Sequence, residues 1–273
     1  LELLKAGYNI TIIDNLSTYK SAFDRIEALA RQYNETECQP MPQMRFHEVD
    51  RDESSMRDIL DQYVIEDKNG SPRPSTVSQK TSRIDGVIHF AGYKSVQESI
   101  QQPLKYYNNN NVAGLINFCD ILGSYNIKRF IFFSSATVYG SIANDGGPLK
   151  EEYCVHQPEG FVDHDRQYKT TLAGCAGLTN PYWRAKWMCE AILADLAFAD
   201  PEWTIIALRY FNSVGCDKSG FIGEYPRGTP TNFMLIVANV ITGLSPVLDV
   251  YGTDYPTSDG SAVRDYIHVT DLA

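Results

Sequence analysis

A doubly wound α/β fold built on a parallel sheet is what this 273-residue chain predicts, and three observations predict it. Short runs of β-branched and aromatic residues alternate with longer windows of helical spacing, the rhythm of β-α repeats. The short runs are near-continuously apolar, as strands covered on both faces are. The composition, 43% hydrophobic and 21% charged, is that of a folded chain, not a disordered or fibrous one.

In chain order, residues 10–14 read as the first strand and 21–32 as the helix after it. Residues 45–49 and 86–91 are the next strands, with a helix over 54–63 between them. A helix over 112–122 leads to a strand at 130–134. Another spans 182–198, where Met188, Ile192 and Leu196 recur every four residues. Strands at 204–210 and 247–251 complete the set. Two stretches break the rhythm. Residues 68–82 are rich in Pro, Ser, Lys and Asn, with little to bury, and read as a surface loop. Residues 141–180 are long for a connection inside one domain and read as an active-site cover or an insertion.

Charge and cysteines narrow the function. Twenty-four Lys and Arg against 34 Asp and Glu give a net charge of −10, so a basic field for nucleic acid or an anionic membrane is not expected. The longest apolar candidate, 235–244, is broken by Asn239, Thr242 and Gly243 and does not read as a membrane span. Cys38, Cys119, Cys154, Cys175, Cys189 and Cys216 form no Cys-x-x-Cys pair. Free thiols in a reducing, cytoplasmic compartment and no metal are the expectation. The opening Leu-Glu-Leu-Leu-Lys-Ala-Gly reads as the end of a helix, as in a sequence that starts partway into a fold.

In open α/β sheets ligands bind beyond the carboxyl ends of the strands. The 10–14 strand ends in Asp14-Asn15, where an acid suits the hydroxyls of an adenosine ribose and repels a 2′-phosphate, favouring NAD over NADP; a turn role is the alternative. The strand from Phe130 runs into Ser134-Ser135-Ala136-Thr137. Tyr182-Trp183-Arg184-Ala185-Lys186 sets a phenol and an ammonium four apart on one helix face, where Lys186 would lower the Tyr182 pKa toward use as an acid/base. A hydroxyl, a phenol and an ammonium together supply a donor, a proton shuttle and its tuner.

With these residues the chain resembles the extended short-chain dehydrogenase/reductase family, and more narrowly its UDP-glucose 4-epimerase branch, over nearly its whole length. The matching segments are Ile13 to Leu16, Val87 to Gly92, Ser134 to Gly140, Tyr182 to Lys186, Leu208 to Asn212 and Val263 to Val269; the last, with Asp254 to Thr257, points to that branch. The resemblance implies a Rossmann-like NAD-binding domain over 1–211, with 68–82 and 141–180 as inserted loops, and the beginning of a substrate-binding domain over 212–273. It implies an isomerase of galactose metabolism. Ser135, Tyr182 and Lys186 would be catalytic. Tyr182 would take the proton of the sugar 4-hydroxyl, held by Ser135, while bound NAD takes hydride from C4. The 4-keto sugar would then turn over and regain hydride on its other face, with no net redox change.

Further roles follow from the same resemblance. Asp14 and Asn15 would bind the adenosine ribose, Asp50 the adenine end, and Phe90, Ala91, Gly92 and Lys94 the middle of the cofactor. Lys186 would hold the nicotinamide ribose, with Asn111 on the nicotinamide side. Phe211 and Asn212 would lie near the sugar, Asn232 near the diphosphate, and Arg264 would pair with a phosphate. His89 reads as a core histidine. The alternatives are another nucleotide-sugar epimerase, a dehydratase or a decarboxylase of the family, or a non-catalytic relative. Dehydratases place an Asp-Glu pair after the catalytic hydroxyl position, and Ser135-Ala136-Thr137 has no acid. A homodimer through 112–122 and 182–198 is possible within the family.

The departures are as specific. The family's Gly-x-x-Gly-x-x-Gly turn, which holds a pyrophosphate at a helix N-terminus, does not occur in this sequence. A first strand and this turn would precede Leu1, and the polypeptide as written is expected to show little turnover and poor solubility. Ser213 and Leu235 stand where the family usually has proline. The long 141–180 stretch suggests a fungal-type member. Sugar selectivity is not readable from these residues.

Overall fold

The computed structural model describes all residues except 18–21, 38–39, 51, 66–79, 109–110, 145–146, 157–158, 163, 172–176, 225, 227, 229, 231 and 251. Cys38, Cys175 and most of the 68–82 loop therefore lie outside the described residues. The strands are β1 (Ile10–Asp14), β2 (Met44–Glu48), β3 (Val87–His89), β4 (Arg129–Phe133), β5 (Glu159–Val162), β6 (Tyr168–Thr171), β7 (Thr204–Leu208), β8 (Asn212–Val214) and β9 (Tyr266–His268). The helices are α1 (Glu2–Lys5), α2 (Phe23–Thr36), α3 (Glu53–Asp61), α4 (Val96–Gln101), α5 (Pro103–Asn108), α6 (Val112–Ser124), α7 (Pro181–Ala199), α8 (Phe233–Ile241) and α9 (Val269–Leu272).

The chain forms two compact units, Leu1–Asp50 with Phe211–Ala273, and Arg51–Tyr210. In the first, β1 and β2 pair in parallel with Ile10 opposite Met44, and β8 and β9 pair in parallel with Asn212 opposite Tyr266. In the second, β3, β4 and β7 form a parallel sheet in that order. The fold is α/β with parallel ladders, as expected, but one continuous sheet is not what the described residues form. Among the described residues no strand joins the β1-β2 ladder to the β3-β4-β7 sheet.

The core of the second unit follows from its apolar runs. Phe130, Phe132 and Phe133 of the central strand β4 are buried, as are Leu115, Phe118, Cys119, Ile121 and Leu122 of α6 and Ala185, Cys189 and Leu193 of α7. His89 lies among Phe118, Phe130 and Phe132, with ring centroids 5.5, 5.5 and 6.1 Å away. Caps set the helix starts: Ser95 accepts Glu98 N–H at 3.2 Å at α4, Asp52 accepts Ser55 N–H at 2.9 Å at α3, and at α7 Asn180 accepts Trp183 N–H at 3.0 Å ahead of Pro181.

Two expectations change. Residues 247–250 form no strand; Val247 and Val250 are exposed, with no ladder to join. The 141–180 stretch is not simply a loop, because β5 and β6 pair antiparallel inside it with Gly160 opposite Thr170. The chain enters it through a 3₁₀-helical segment, Ala136–Asn144, kinked at Gly140, whose φ of 57° and ψ of −131° suit glycine. Helix α8 occupies the apolar run set aside above as too broken to span a membrane. No helix among the described residues is long and apolar enough to do so.

Candidate active site

Strand β4 delivers its hydroxyls at the carboxyl end of the three-stranded sheet. Ser135 Oγ accepts two bonds from Thr137, from Oγ1 at 2.9 Å and from the backbone N–H at 3.3 Å. Its own proton is thereby directed away from Thr137. The Asn180 cap and Pro181 start α7 where its second residue, Tyr182, meets Ser135. The Tyr182 ring packs edge-on to Tyr106 at 6.4 Å. Tyr106 is in turn fixed by its single hydroxyl proton, shared between the Ser95 carbonyl at 2.7 Å and Glu98 Oε2 at 2.9 Å.

One turn along the same face, Lys186 is buried. Its ammonium donates to the Phe133 carbonyl at 2.5 Å and lies 4.7 Å from the Phe132 ring centroid. The expected depression of the phenol does not appear in this state. Burial and the neighbouring Tyr210 phenol push the Tyr182 pKa up to about 12, opposed only by the Ser135 hydroxyl.

The turn after β3 carries the next group. Phe90 is 65% exposed, with its ring 4.0 Å from that of Phe133. Ala91 and Gly92 are exposed beside it. Lys94 acts on Tyr210, whose phenol burial raises and Lys94 partly lowers. Asn111 is buried, and its amide is spent on the chain: Oδ1 accepts Tyr93 N–H at 2.9 Å and Nδ2 donates to the Tyr93 carbonyl at 3.1 Å. It holds the 90–94 turn in place.

The remaining expected site residues sit in the other compact unit. At the end of β1, Asp14 Oδ1 accepts Leu16 N–H at 2.6 Å, which keeps Leu16 at a φ of 52°. Asn15 donates to Asp50. Asp14 thus fills the turn role that the sequence left as the alternative. Asn212 donates to the Asp265 carbonyl at 3.0 Å, and Arg264 to the Val263 carbonyl at 2.8 Å. Asn232 stands at the start of α8 and donates to Glu224, and Phe211 is 37% exposed.

Sequence reasoning passed over Glu190 and His156, and quoted Ser134, Arg209 and Tyr210 only as parts of motifs. Glu190 is the one with a readable signal, since 182, 186 and 190 share a helix face. No cluster among the described residues has the makings of a metal site.

The residues present suit a dinucleotide. Taken unit by unit, the first has acid and amide groups exposed at a parallel strand end, and the second has an exposed aromatic turn after β3 and a buried lysine one turn from a half-buried phenol. Comparison with known proteins agrees. Residues 72–273 match the NAD dependent epimerase/dehydratase family. The chain is 38% identical over its whole length to the UDP-glucose 4-epimerase of Bacillus subtilis (strain 168), covering 66% of that protein. It is 39% identical to the UDP-glucose 4-epimerase of Caenorhabditis elegans, again covering 66% of it. Among solved structures, the Stenotrophomonas maltophila UDP-glucose-4-epimerase with bound NAD and formylated UDP-arabinopyranose has a TM-score of 0.72 at 34% identity, over 99% of this chain and 66% of that one. The Bifidobacterium longum UDP-glucose 4-epimerase in complex with NAD+ and UDP has a TM-score of 0.71 at 35% identity, with the same coverage.

Proposed function

This chain belongs to the NAD dependent epimerase/dehydratase family, and from that premise we propose that the whole protein interconverts UDP-galactose and UDP-glucose through a transient 4-keto sugar. The observation that carries the reading is the meeting of Ser135 and Tyr182, with Lys186 one turn along, at the carboxyl end of β4. The activity is proposed for the whole protein because the chain spans about 66% of the length of such relatives.

NAD, when bound, supplies hydride acceptance and return at C4 of the sugar. Asp14, Asn15 and Asp50 would hold its adenosine end, and Phe90, Ala91, Gly92 and Lys94 its middle. Lys186 would hold the nicotinamide ribose, with Asn111 supporting that side through the 90–94 turn. Residues 1–211 then carry the cofactor and 212–273 begin the sugar side, with Phe211, Asn212, Asn232 and Arg264 directed to the UDP-sugar.

The proton work falls to this chain. With its pKa up at about 12, Tyr182 keeps its proton at neutral pH in the state described. To act as a base it must lose it, which needs positive charge nearby: the Lys186 ammonium one turn along, and a cationic ring. Ser135, already accepting from Thr137, donates to the reacting oxygen and passes the proton between sugar and phenol. Burial, which raises the phenol, also excludes water from the keto stage.

The full-length protein, incubated with UDP-galactose and no added NAD, should produce UDP-glucose by chromatography, and Tyr182→Phe should abolish this. Bound NAD seen by absorbance without interconversion would instead favour another nucleotide-sugar reaction. A homodimer and a cytoplasmic site belong to the same proposal; light scattering returning a monomer mass, or fractionation away from the cytosol, would reject them.

A further inference from the structure

A buried carboxylate two turns beyond the phenol takes no part in the chemistry above. The Glu190 side chain is 3% exposed and lies on the α7 face of Tyr182 and Lys186. It accepts the Ser134 hydroxyl on Oε1 and meets His156 Nε2 at 2.9 Å through Oε2. The Arg209 guanidinium reaches it from Nε at 3.2 and 3.1 Å and from Nη2 at 2.7 Å. Arg209 also donates to the carbonyls of Glu151 at 3.1 Å and Cys154 at 2.7 Å, and its guanidinium lies 5.1 Å from the centre of the Tyr139 ring.

These partners come from three segments. Ser134 follows β4, Arg209 follows β7, and Glu151, Cys154 and His156 belong to the 141–180 stretch. Two of them adjoin reacting or facing groups: Ser134 precedes Ser135, and Arg209 precedes Tyr210, the phenol beside Tyr182. The Tyr210 carbonyl also accepts the Ala136 N–H at 3.1 Å, closing the strand ends on each other.

We propose that Glu190 is a positioning residue that sets the Ser135 hydroxyl against the Tyr182 phenol, by tying the ends of β4 and β7 to the helix that carries Tyr182 and Lys186. A buried ion pair is seldom more stable than apolar packing of the same volume. What the fork of Arg209 on a carboxylate does supply is a fixed angle. Proton transfer needs that angle, since a misplacement of ~1 Å costs about 100-fold in rate. The inference rests on the epimerase reading.

The test compares the full-length protein holding its NAD with Glu190→Gln and Ser134→Ala. Interconversion of UDP-galactose should fall about 10- to 100-fold in kcat in Glu190→Gln and about tenfold in Ser134→Ala, with KM within about twofold. Lys80→Ala, which breaks the ion pair to Asp61, should leave kcat unchanged. The Tyr182 ring-carbon NMR signal next to the phenol oxygen, assigned by its loss in Tyr182→Phe, should shift in both positioning variants and not in Lys80→Ala. If Glu190→Gln does not fold, Ser134→Ala decides, because it removes only one hydroxyl. Wild-type kcat with an unmoved Tyr182 signal in folded variants overturns the inference. Absence of interconversion in the wild type defeats the epimerase reading instead, and the NMR shift still decides the positioning role.

Discussion

Replacing Arg209 by methionine removes the guanidinium while keeping much of the packing on Tyr139. It strips Glu190 of its bidentate partner and removes the bonds Arg209 gives to the Glu151 and Cys154 carbonyls. Glu190 would stay buried with only Ser134 and His156. Breaking a buried pair from one side costs about 3–5 kcal/mol, and that is the expected loss at pH 7. The pH dependence follows from the Glu190 carboxyl. Its burial alone would raise the pKa, but His156, Arg209 and Ser134 together hold it below the ordinary carboxylate range. A depressed folded value gives stability that is present above the unfolded pKa, about 4.3, and is lost as pH falls through the folded one. Without Arg209, burial is no longer outweighed, and the variant gains nothing from ionising this carboxyl. The deficit should therefore be widest near neutrality and narrow as the medium is made acidic. Urea unfolding followed by the fluorescence of Trp187, which packs on the Ala136, Val138, Tyr139 and Cys154 cluster, measures it at each pH. A deficit under about 1 kcal/mol at pH 7, or one flat with pH, refutes the account. Adding Glu190→Leu to Arg209→Met should recover part of the loss, since no charge is then left buried.

Three other outcomes can be checked. Asn180→Ala, which removes the cap on Trp183 N–H, should cost about 1 kcal/mol and speed hydrogen exchange in the first turn of α7; Asn180→Asp should not. Gly140→Ala forces a side chain into φ 57°, ψ −131° and should cost about 1–3 kcal/mol in denaturant unfolding; a neutral result would mean the kink relaxes. Asn111→Ala frees the Tyr93 backbone, and the full-length protein should then be isolated with less NAD by absorbance; full occupancy would show that the 90–94 turn does not need this anchor.

How much was legible can be argued from single elements. The long apolar runs 10–14, 130–134 and 204–210 were readable because β-branched and aromatic residues follow one another without a break, and each contains the observed strand or lies within a residue of it. Strands β8 and β9 were not, since three residues carry no period and only their pairing, Asn212 to Tyr266, makes them strands. The hairpin β5-β6 hid in a stretch judged by its glycines and prolines, where a few β-branched and aromatic residues suffice once a partner lies alongside.

By itself the sequence determined the parallel α/β class, the family, and the Ser135, Tyr182 and Lys186 set, because these depend on residue type and on spacing along one strand or helix. Tertiary structure alone decided that the Tyr182 phenol is raised and not lowered, since burial and the Tyr210 neighbour are properties of the packed site. It alone showed that Asn111 serves the Tyr93 backbone, and that Ser134, Glu190, Arg209 and His156 meet. These four lie up to 75 positions apart (209 − 134), and nothing local in a chain records which distant groups its fold will bring within reach of one carboxylate.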